Sequence, residues 1–143
     1  HLGAKRSHAG ADITRALKNY GMKVGMAFQI MDDILDISGA EQALGKPLGT
    51  DIREGVITLP SIYALKCSRH RDTLGSILES RRISKEDIMV AIDIVRSCGG
   101  ITYAKKISLK YTKKAKETIS HLPEGPIKST LLDIADYAIS RKY

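Results

Sequence analysis

The chain has 143 residues, of which 43% are hydrophobic and 27% charged, and its formal net charge at pH 7 is +7. This composition is typical of an ordinary globular protein and argues against a disordered one. No apolar run approaches the ~20 residues that a membrane span needs, and no signal peptide opens the sequence, so we expect a soluble, cytoplasmic protein without a transmembrane segment.

The charge and the cysteines narrow the possible partners only a little. The excess of lysine and arginine would suit a diphosphate, a nucleic acid or an acidic membrane surface, and charge alone does not choose among them. Cys67 and Cys98 have no CxxC or histidine cluster beside them, which leaves a disulfide scaffold and a zinc site unsupported. The sequence begins at His1 without an initiator methionine, and HLGAKRSHAGAD looks like the end of an element already under way, so we expect more protein upstream.

The first predicted element is a long amphipathic helix from about Asp12 to Ile37. Its apolar residues recur at the i, i+3, i+4 and i+7 spacing of one helix face. They are Ile13, Ala16, Leu17, Tyr20, Val24, Ala27, Phe28, Met31 and Ile34. A loop rich in glycine follows, from Ser38 to about Ile57, and loops of this length in compact domains are often functional.

Five shorter helices are predicted after the loop. They cover residues 58–68, 71–80, 84–98, 101–121 and 127–141. Thr58 and Ser84 are the expected amino-terminal caps, and Ser84 with Asp87 three residues later resembles a capping box, with aspartate where glutamate is usual. No segment alternates with period 2, so no strand is predicted and the fold class is all-α, a helical bundle. The many lysines of residues 101–121 predict a solvated face rather than a nucleic-acid surface, because no aromatic residues interleave with them.

Three aspartates and a glutamine lie close together near the end of the long helix. At 100° per residue they share a sector about 100° wide, opposite the apolar stripe. They are Gln29, Asp32, Asp33 and Asp36. The carboxylates repel one another at this spacing, and the negative end of the helix dipole adds to the repulsion. A divalent ion would relieve both effects, and Mg²⁺ typically binds through one or two carboxylates with waters and phosphate oxygens.

These segments allow two other interpretations. The acidic sector could be a plain solvated face, because Arg15 and Lys18 occupy the same sector earlier in the helix. The glycine-rich loop could be compared with a P-loop, but the GxxxxGK signature followed by serine or threonine is absent, and no strand precedes the loop. We therefore reject the P-loop and leave the solvated face open on spacing alone.

The segments FQIMDDILDISG, GKPLGTD and TLPSIYAL, in this order, closely resemble the second aspartate-rich region of the trans-isoprenyl diphosphate synthases. HLGAKRSHAGAD is similar to the helix end before that region. GGITYAKK and LLDIADYAISRKY are similar to the tail of medium- and long-chain members such as the heptaprenyl diphosphate synthases. The resemblance implies that residues 1–143 are the carboxyl-terminal part of a polyprenyl synthase domain with the isoprenoid synthase fold, without its amino-terminal half and first aspartate-rich motif.

The family condenses an allylic diphosphate with isopentenyl diphosphate after a Mg²⁺-dependent ionisation. The resemblance implies that Asp32 binds Mg²⁺ directly, with Asp33 and Asp36 on the same ion or its waters. Lys46 would contact the allylic diphosphate, and Asp51 would act through metal-bound water. Asp32, Asp36 and Lys46 are the residues expected to carry the ionisation step.

The remaining expectations concern the substrate side and the assembly. Gln29 would orient the diphosphate or the incoming alkene, and Phe28 would pack beside the substrate, although its place on the apolar stripe favours an ordinary core role. We expect the chain to be inactive alone and to form a homo-oligomer or a hetero-oligomer with a second synthase subunit, without a nucleic-acid partner. A class I terpene cyclase fragment and a non-enzymatic basic helical module are the alternatives, and GKPLGTD with TLP favours the synthases over the cyclases.

Overall fold

The computed structural model describes residues 3, 6, 9–38 and 47–140, and no residue in these ranges is in a strand. Seven helices with defined bounds follow one another along this part of the chain. They are α1 (Ala11–Ser38), α2 (Thr50–Arg53), α3 (Leu59–Cys67), α4 (Arg71–Leu78), α5 (Lys85–Ser97), α6 (Gly100–Thr118) and α7 (Pro126–Ser140). The prediction of an all-α fold is confirmed.

The local signals at the start of α5 act as predicted. The Ser84 hydroxyl accepts a hydrogen bond from the Asp87 amide at 3.1 Å, and the Ser84 amide donates to the Asp87 carboxylate at 3.1 Å, which completes a capping box. At the other end, Gly99 takes a φ of +84° and Gly100 begins α6. A Cβ atom on Gly100 would lie 2.8 Å from the Pro60 carbonyl oxygen, so only glycine allows this approach between the start of α6 and α3.

Two local predictions were wrong. The one-turn helix α2 lies inside the segment that was predicted to be loop, because four residues are too few to show a helical periodicity. Its Ile52 is buried and belongs to the apolar core, which explains why the segment folds back onto the helices. Thr58 is the residue before α3, as expected, but its side chain makes no capping hydrogen bond and is buried.

The helices form two compact units, each with its own apolar core. One unit runs from Ile30 to Lys106 and contains the end of α1, the helices α2 to α5 and the beginning of α6. Its core joins residues from α1, α2, α3, α4 and α5. They are Ile37, Ile52, Ala64, Leu74, Ile77, Ile88, Ala91, Ile92, Ile94 and Val95. This core anchors both the last turn of α1 and the short helix α2, which bear the acidic residues.

The other unit combines α1 through Gln29 with α6 from Ile107 and α7. Tyr20 packs with Ala115, Ile119 and Ala135, and its hydroxyl donates to the Leu131 carbonyl oxygen at 2.5 Å. The buried ammonium of Lys128 donates to the carbonyl oxygens of two residues in the turn before α7 and to a carboxylate there. These are Ser120 at 2.6 Å, Leu122 at 3.0 Å and Glu124 at 2.5 Å. A buried ammonium is tolerated because its donors are bonded in this way.

The lysines of α6 behave as the sequence predicts. Lys105, Lys106, Lys110, Lys113 and Lys114 are exposed, whereas Lys116 is partly covered and forms an ion pair with Asp136. The buried side of the same helix carries Ala104, Ser108, Thr112 and Ala115. Within the described ranges, no helix is long and apolar enough to cross a membrane.

Two buried serines provide a matched test of this packing. The Ser108 hydroxyl donates to the Ala27 carbonyl oxygen at 3.0 Å, whereas the Ser61 hydroxyl finds no hydrogen-bond partner among the described residues. We expect Ser108→Ala to lower the free energy of unfolding by about 1 kcal/mol, because a buried hydrogen bond is lost. Ser61→Ala should leave it unchanged or raise it, because a desolvated hydroxyl is removed. Urea unfolding of both variants measures the difference, and a larger loss for Ser61→Ala would contradict the bonding described.

Candidate active site

Three aspartates of α1 lie in its last two turns, and their exposure differs. Asp32 and Asp36 are partly exposed, whereas Asp33 is only 9% exposed. The buried arc of these turns also includes Ile30, Met31, Ile34 and Ile37. At 100° per residue, Asp33 lies at the edge of this arc, about 40° from Ile37. The prediction that all three carboxylates stand opposite the apolar stripe was therefore too simple, because the core covers Asp33 as well.

Asp36 joins the end of α1 to the start of α2. Its carboxylate accepts hydrogen bonds from the amides of Thr50 and Asp51, each at 3.1 Å and each on a separate oxygen. Its backbone carbonyl oxygen accepts a third bond from the Gly49 amide at 2.9 Å. The first amides of a helix lack partners within the helix, and here a distant carboxylate replaces the usual local cap. Asp36 therefore fixes α2, and with it Asp51, beside the acidic end of α1.

Gly49 makes this approach possible. Its φ of +70° lies in the left-handed region, which glycine adopts without strain. A Cβ atom at this position would lie 2.4 Å from the Ile88 Cγ2 and 3.2 Å from the Ile92 Cδ1. The residue is thus wedged between the end of α1 and the face of α5. Backbone conformation and available space both require glycine.

Asp51 lies in the negative field of the α1 carboxylates. Burial and the charges of nearby carboxylates raise the pKa of Asp51 from 3.8 to about 6. After burial, the contributing groups are Asp36, Asp33, Glu54 and Asp32, in that order. The repulsion inferred from spacing within α1 is therefore increased by a fourth aspartate that the fold brings back across 15 residues.

The donor set suits a hard divalent cation. All the groups are carboxylates, whose oxygens Mg²⁺ and Ca²⁺ prefer, and the negative field on Asp51 shows that positive charge would be favourable. Among residues 9–38 and 47–140, no three histidine, cysteine or acidic side chains are close enough to enclose an ion. Mg²⁺ commonly takes only one or two protein carboxylates, with water and phosphate oxygens supplying the rest. The described residues thus fit an ion that arrives together with a phosphorylated ligand.

Two other sequence-predicted residues, Phe28 and Gln29, lie in α1 about one turn before the aspartates, and both side chains are exposed. The expectation that Phe28 is an ordinary core residue is wrong within this chain, since the side chain is 40% exposed. Lys46 lies outside the described residues.

Arg96 was missed by the sequence analysis. It lies in the last turn of α5, and its guanidinium donates two hydrogen bonds to the Ile37 carbonyl oxygen, from Nε at 2.9 Å and from an Nη at 2.5 Å. A basic residue at a helix end usually suggests interaction with its own helix dipole. The actual acceptor lies 59 residues earlier, which no local pattern could predict.

Comparison with known proteins shows the family of this chain. The family model for polyprenyl synthetase matches residues 1–95, which is most of the chain. The chain belongs to the polyprenyl synthetase family. It is 35% identical over 142 residues to the geranylgeranyl diphosphate synthase of Methanosarcina mazei, with 99% of this chain and 43% of that relative covered. It is 37% identical to heptaprenyl diphosphate synthase component 2 of Bacillus subtilis, with 99% of this chain and 40% of that relative covered.

A solved polyprenyl synthetase also matches the fold. The crystal structure of the polyprenyl synthase from Caulobacter crescentus, complexed with calcium and isoprenyl diphosphate, superposes with a TM-score of 0.89 at 31% identity. The match covers 99% of this chain and 44% of that one. The chain thus spans less than half the length of the relatives that it matches, and it has the all-α fold of the corresponding part of this family.

The raised pKa of Asp51 predicts a pH-dependent cost to stability. The folded chain holds the Asp51 proton more tightly than the unfolded chain does, so stability attributable to this group falls as pH rises from about 4 to about 6. Asp51→Asn should therefore raise the melting temperature of the metal-free chain by a few degrees at pH 7.5, with the gain vanishing near pH 4. Thermal unfolding from pH 4 to 8 measures this difference. Asp93→Asn on the exposed side of α5 is the control, and an equal gain at both ends of the pH range would contradict the prediction.

Proposed function

We propose that this chain supplies one side of the active site of a trans-polyprenyl diphosphate synthase, which joins isopentenyl diphosphate to an allylic diphosphate. The observation that supports the proposal is that backbone hydrogen bonds hold Asp36 against the start of α2, where burial and the charges of Asp36, Asp33 and Asp32 raise the pKa of Asp51. In such a reaction the C–O bond of the allylic diphosphate breaks first, and pyrophosphate leaves with concentrated negative charge. Stabilising that charge lowers the barrier.

Magnesium is the ion that we propose for the acidic cluster. When bound, a divalent ion neutralises the departing pyrophosphate and orients it for bond cleavage. Asp32 would be a direct ligand, while Asp33 and Asp36 would bind the same ion or its waters. The Caulobacter crescentus relative was solved with calcium, another hard divalent ion that prefers oxygen ligands, which supports a divalent cation of this class.

The roles of the remaining residues follow from their chemistry and from the family. Lys46 would bind oxygens of the allylic diphosphate, and Asp51 would accept a hydrogen bond from a metal-bound water. Gln29 would orient the diphosphate or the incoming alkene. Phe28 would contact the prenyl chain, which its exposed ring permits. Asp32, Asp36 and Lys46 are proposed to carry the ionisation step.

The partner in the assembly is proposed to be another synthase subunit. The Bacillus subtilis relative is named component 2, which suggests an assembly with at least one other component. Met22 and Met26 of α1 are 62% and 48% exposed and lie one helical turn apart, so their side chains offer apolar area to a neighbouring helix. A second copy of the synthase or a separate subunit would cover such a surface. The cytoplasm is the proposed location.

Replacing Asp32 tests the metal role. In a full-length enzyme that contains this chain, Asp32→Ala should lower kcat by at least about a hundredfold, because the leaving pyrophosphate loses charge stabilisation. The melting temperature without metal should not fall, since one of several repelling carboxylates is removed. Turnover of farnesyl and isopentenyl diphosphates, measured beside thermal unfolding, gives both quantities. Asp93→Ala is the matched control, and normal turnover by the Asp32 variant would refute the proposed ligand.

The chain alone should show no prenyl transfer. Its sequence holds one DDxxD motif, at residues 32–36, whereas the proposed reaction needs a second acidic region and a site for isopentenyl diphosphate. Incubation of the purified chain with both diphosphates and Mg²⁺, followed by extraction of prenyl products, measures this. Light scattering on the same sample reports self-association. Product formation by the chain alone would show that the second acidic region is dispensable.

A further inference from the structure

The end of α1 is held from a second direction by Arg96. Two nitrogen atoms of its guanidinium donate to the carbonyl oxygen of Ile37, the residue directly after Asp36. This carbonyl belongs to the last turn of α1, where the helix leaves its carbonyl groups without partners. The bond is therefore charge-assisted at a helix end that has no basic residue of its own in its last turn.

The position of Arg96 on α5 relates it directly to Gly49. Ile88, Ile92 and Arg96 are spaced four residues apart, so their side chains form one row along the helix. The first two residues of the row occupy the space that a Cβ atom on Gly49 would need, and the third binds the end of α1. The same face of α5 thus contacts both segments that Asp36 connects, namely the end of α1 and the start of α2.

This arrangement forms a closed set of contacts. Asp36 binds the amides of Thr50 and Asp51, Gly49 rests on α5, and Arg96 of α5 binds the residue that follows Asp36. If the Arg96 bond is removed, the last turn of α1 keeps the apolar contact of Ile37 with the core but loses the polar bond that fixes its carbonyl end to α5. The hydrogen bonds between the Asp36 carboxylate and the α2 amides should then open more often, although the two segments stay packed together.

We propose that Arg96 is a positioning residue for the acidic site: it holds the end of α1 so that Asp36 keeps Asp51 in place. It touches neither the proposed ion nor the substrate. Its contribution to binding of the ion and diphosphate rests on the proposed function, whereas its effect on the Asp36 contacts does not.

Amide hydrogen exchange tests the positioning directly. In Arg96→Met the apolar stem is retained and the guanidinium is lost. Exchange of the Thr50 and Asp51 amides should become faster by about tenfold or more, as expected when a hydrogen bond to a charged group no longer restrains opening. The Ile92 amide, in the buried part of α5, should change by less than about twofold, because global stability is not the cause. Equal acceleration at all three amides, or none at Thr50 and Asp51, would overturn the proposal.

Two further variants show whether the faster exchange comes from losing the contact with Ile37 or from losing a positive charge. Arg96→Lys keeps a cationic donor at the same place and should restore most of the protection at Thr50 and Asp51. Arg81→Met makes the same substitution at an exposed arginine between α4 and α5 and should leave these amides unchanged. If Arg81→Met accelerated their exchange as much as Arg96→Met, net charge rather than the Ile37 contact would be responsible, and the proposal would fail.

A binding experiment then tests the functional part. Calorimetric titration of the chain with Mg²⁺ and inorganic pyrophosphate should give an affinity that Arg96→Met lowers by about tenfold and Arg96→Lys lowers by less. Faster exchange with unchanged affinity would overturn Arg96 as a positioning residue for the site. If the unaltered chain bound neither Mg²⁺ nor pyrophosphate, the proposed function would fail, while the exchange result would still decide whether Arg96 holds the Asp36 contacts.

Discussion

The structure at the acidic end of α1 depends on hydrogen bonds between Asp36 and backbone amides. Asp36 accepts three of these hydrogen bonds, two on its carboxylate and one on its backbone carbonyl oxygen. They attach the one-turn helix α2, which could not be stable alone. The negative end of one helix dipole and the amides of another helix meet at the same residue.

The burial of this cluster has an energetic cost that the core offsets. Burial of Asp51 and the charges of the nearby carboxylates raise its pKa, so both oppose folding when Asp51 is ionised. Ile37 and Ile52 flank the cluster, and both are buried in the same apolar core, so the two acidic segments cannot separate without exposing them. The apolar core therefore maintains an electrostatic strain that binding of a cation would release. Sites of this kind commonly sacrifice stability for function.

The sequence predicted the long helices well, because apolar residues recur at helical spacing along the buried face of each one. α1, α5 and α6 are examples, with bounds within a few residues of those observed. The motif FQIMDDILDISG contains three of the four aspartates that the fold brings together, and their role in binding an ion stays a prediction. The sequence could not predict the contacts that shape it, since α2 is too short to show a period and Arg96 binds an acceptor 59 residues away. Asp33 appeared solvent-facing because helical spacing describes one helix and not what covers it.

The contact at Gly49 also limits how this site can change by mutation. Shortening Ile88 would make room for a Cβ atom at position 49, since the nearest conflicting atom belongs to that side chain. It would not remove the strain of a left-handed backbone in a residue other than glycine. Asparagine tolerates that backbone better than most residues, yet it needs still more space. No single compensating substitution on α5 can therefore repair both defects, and replacements at position 49 are reachable only through several coordinated changes.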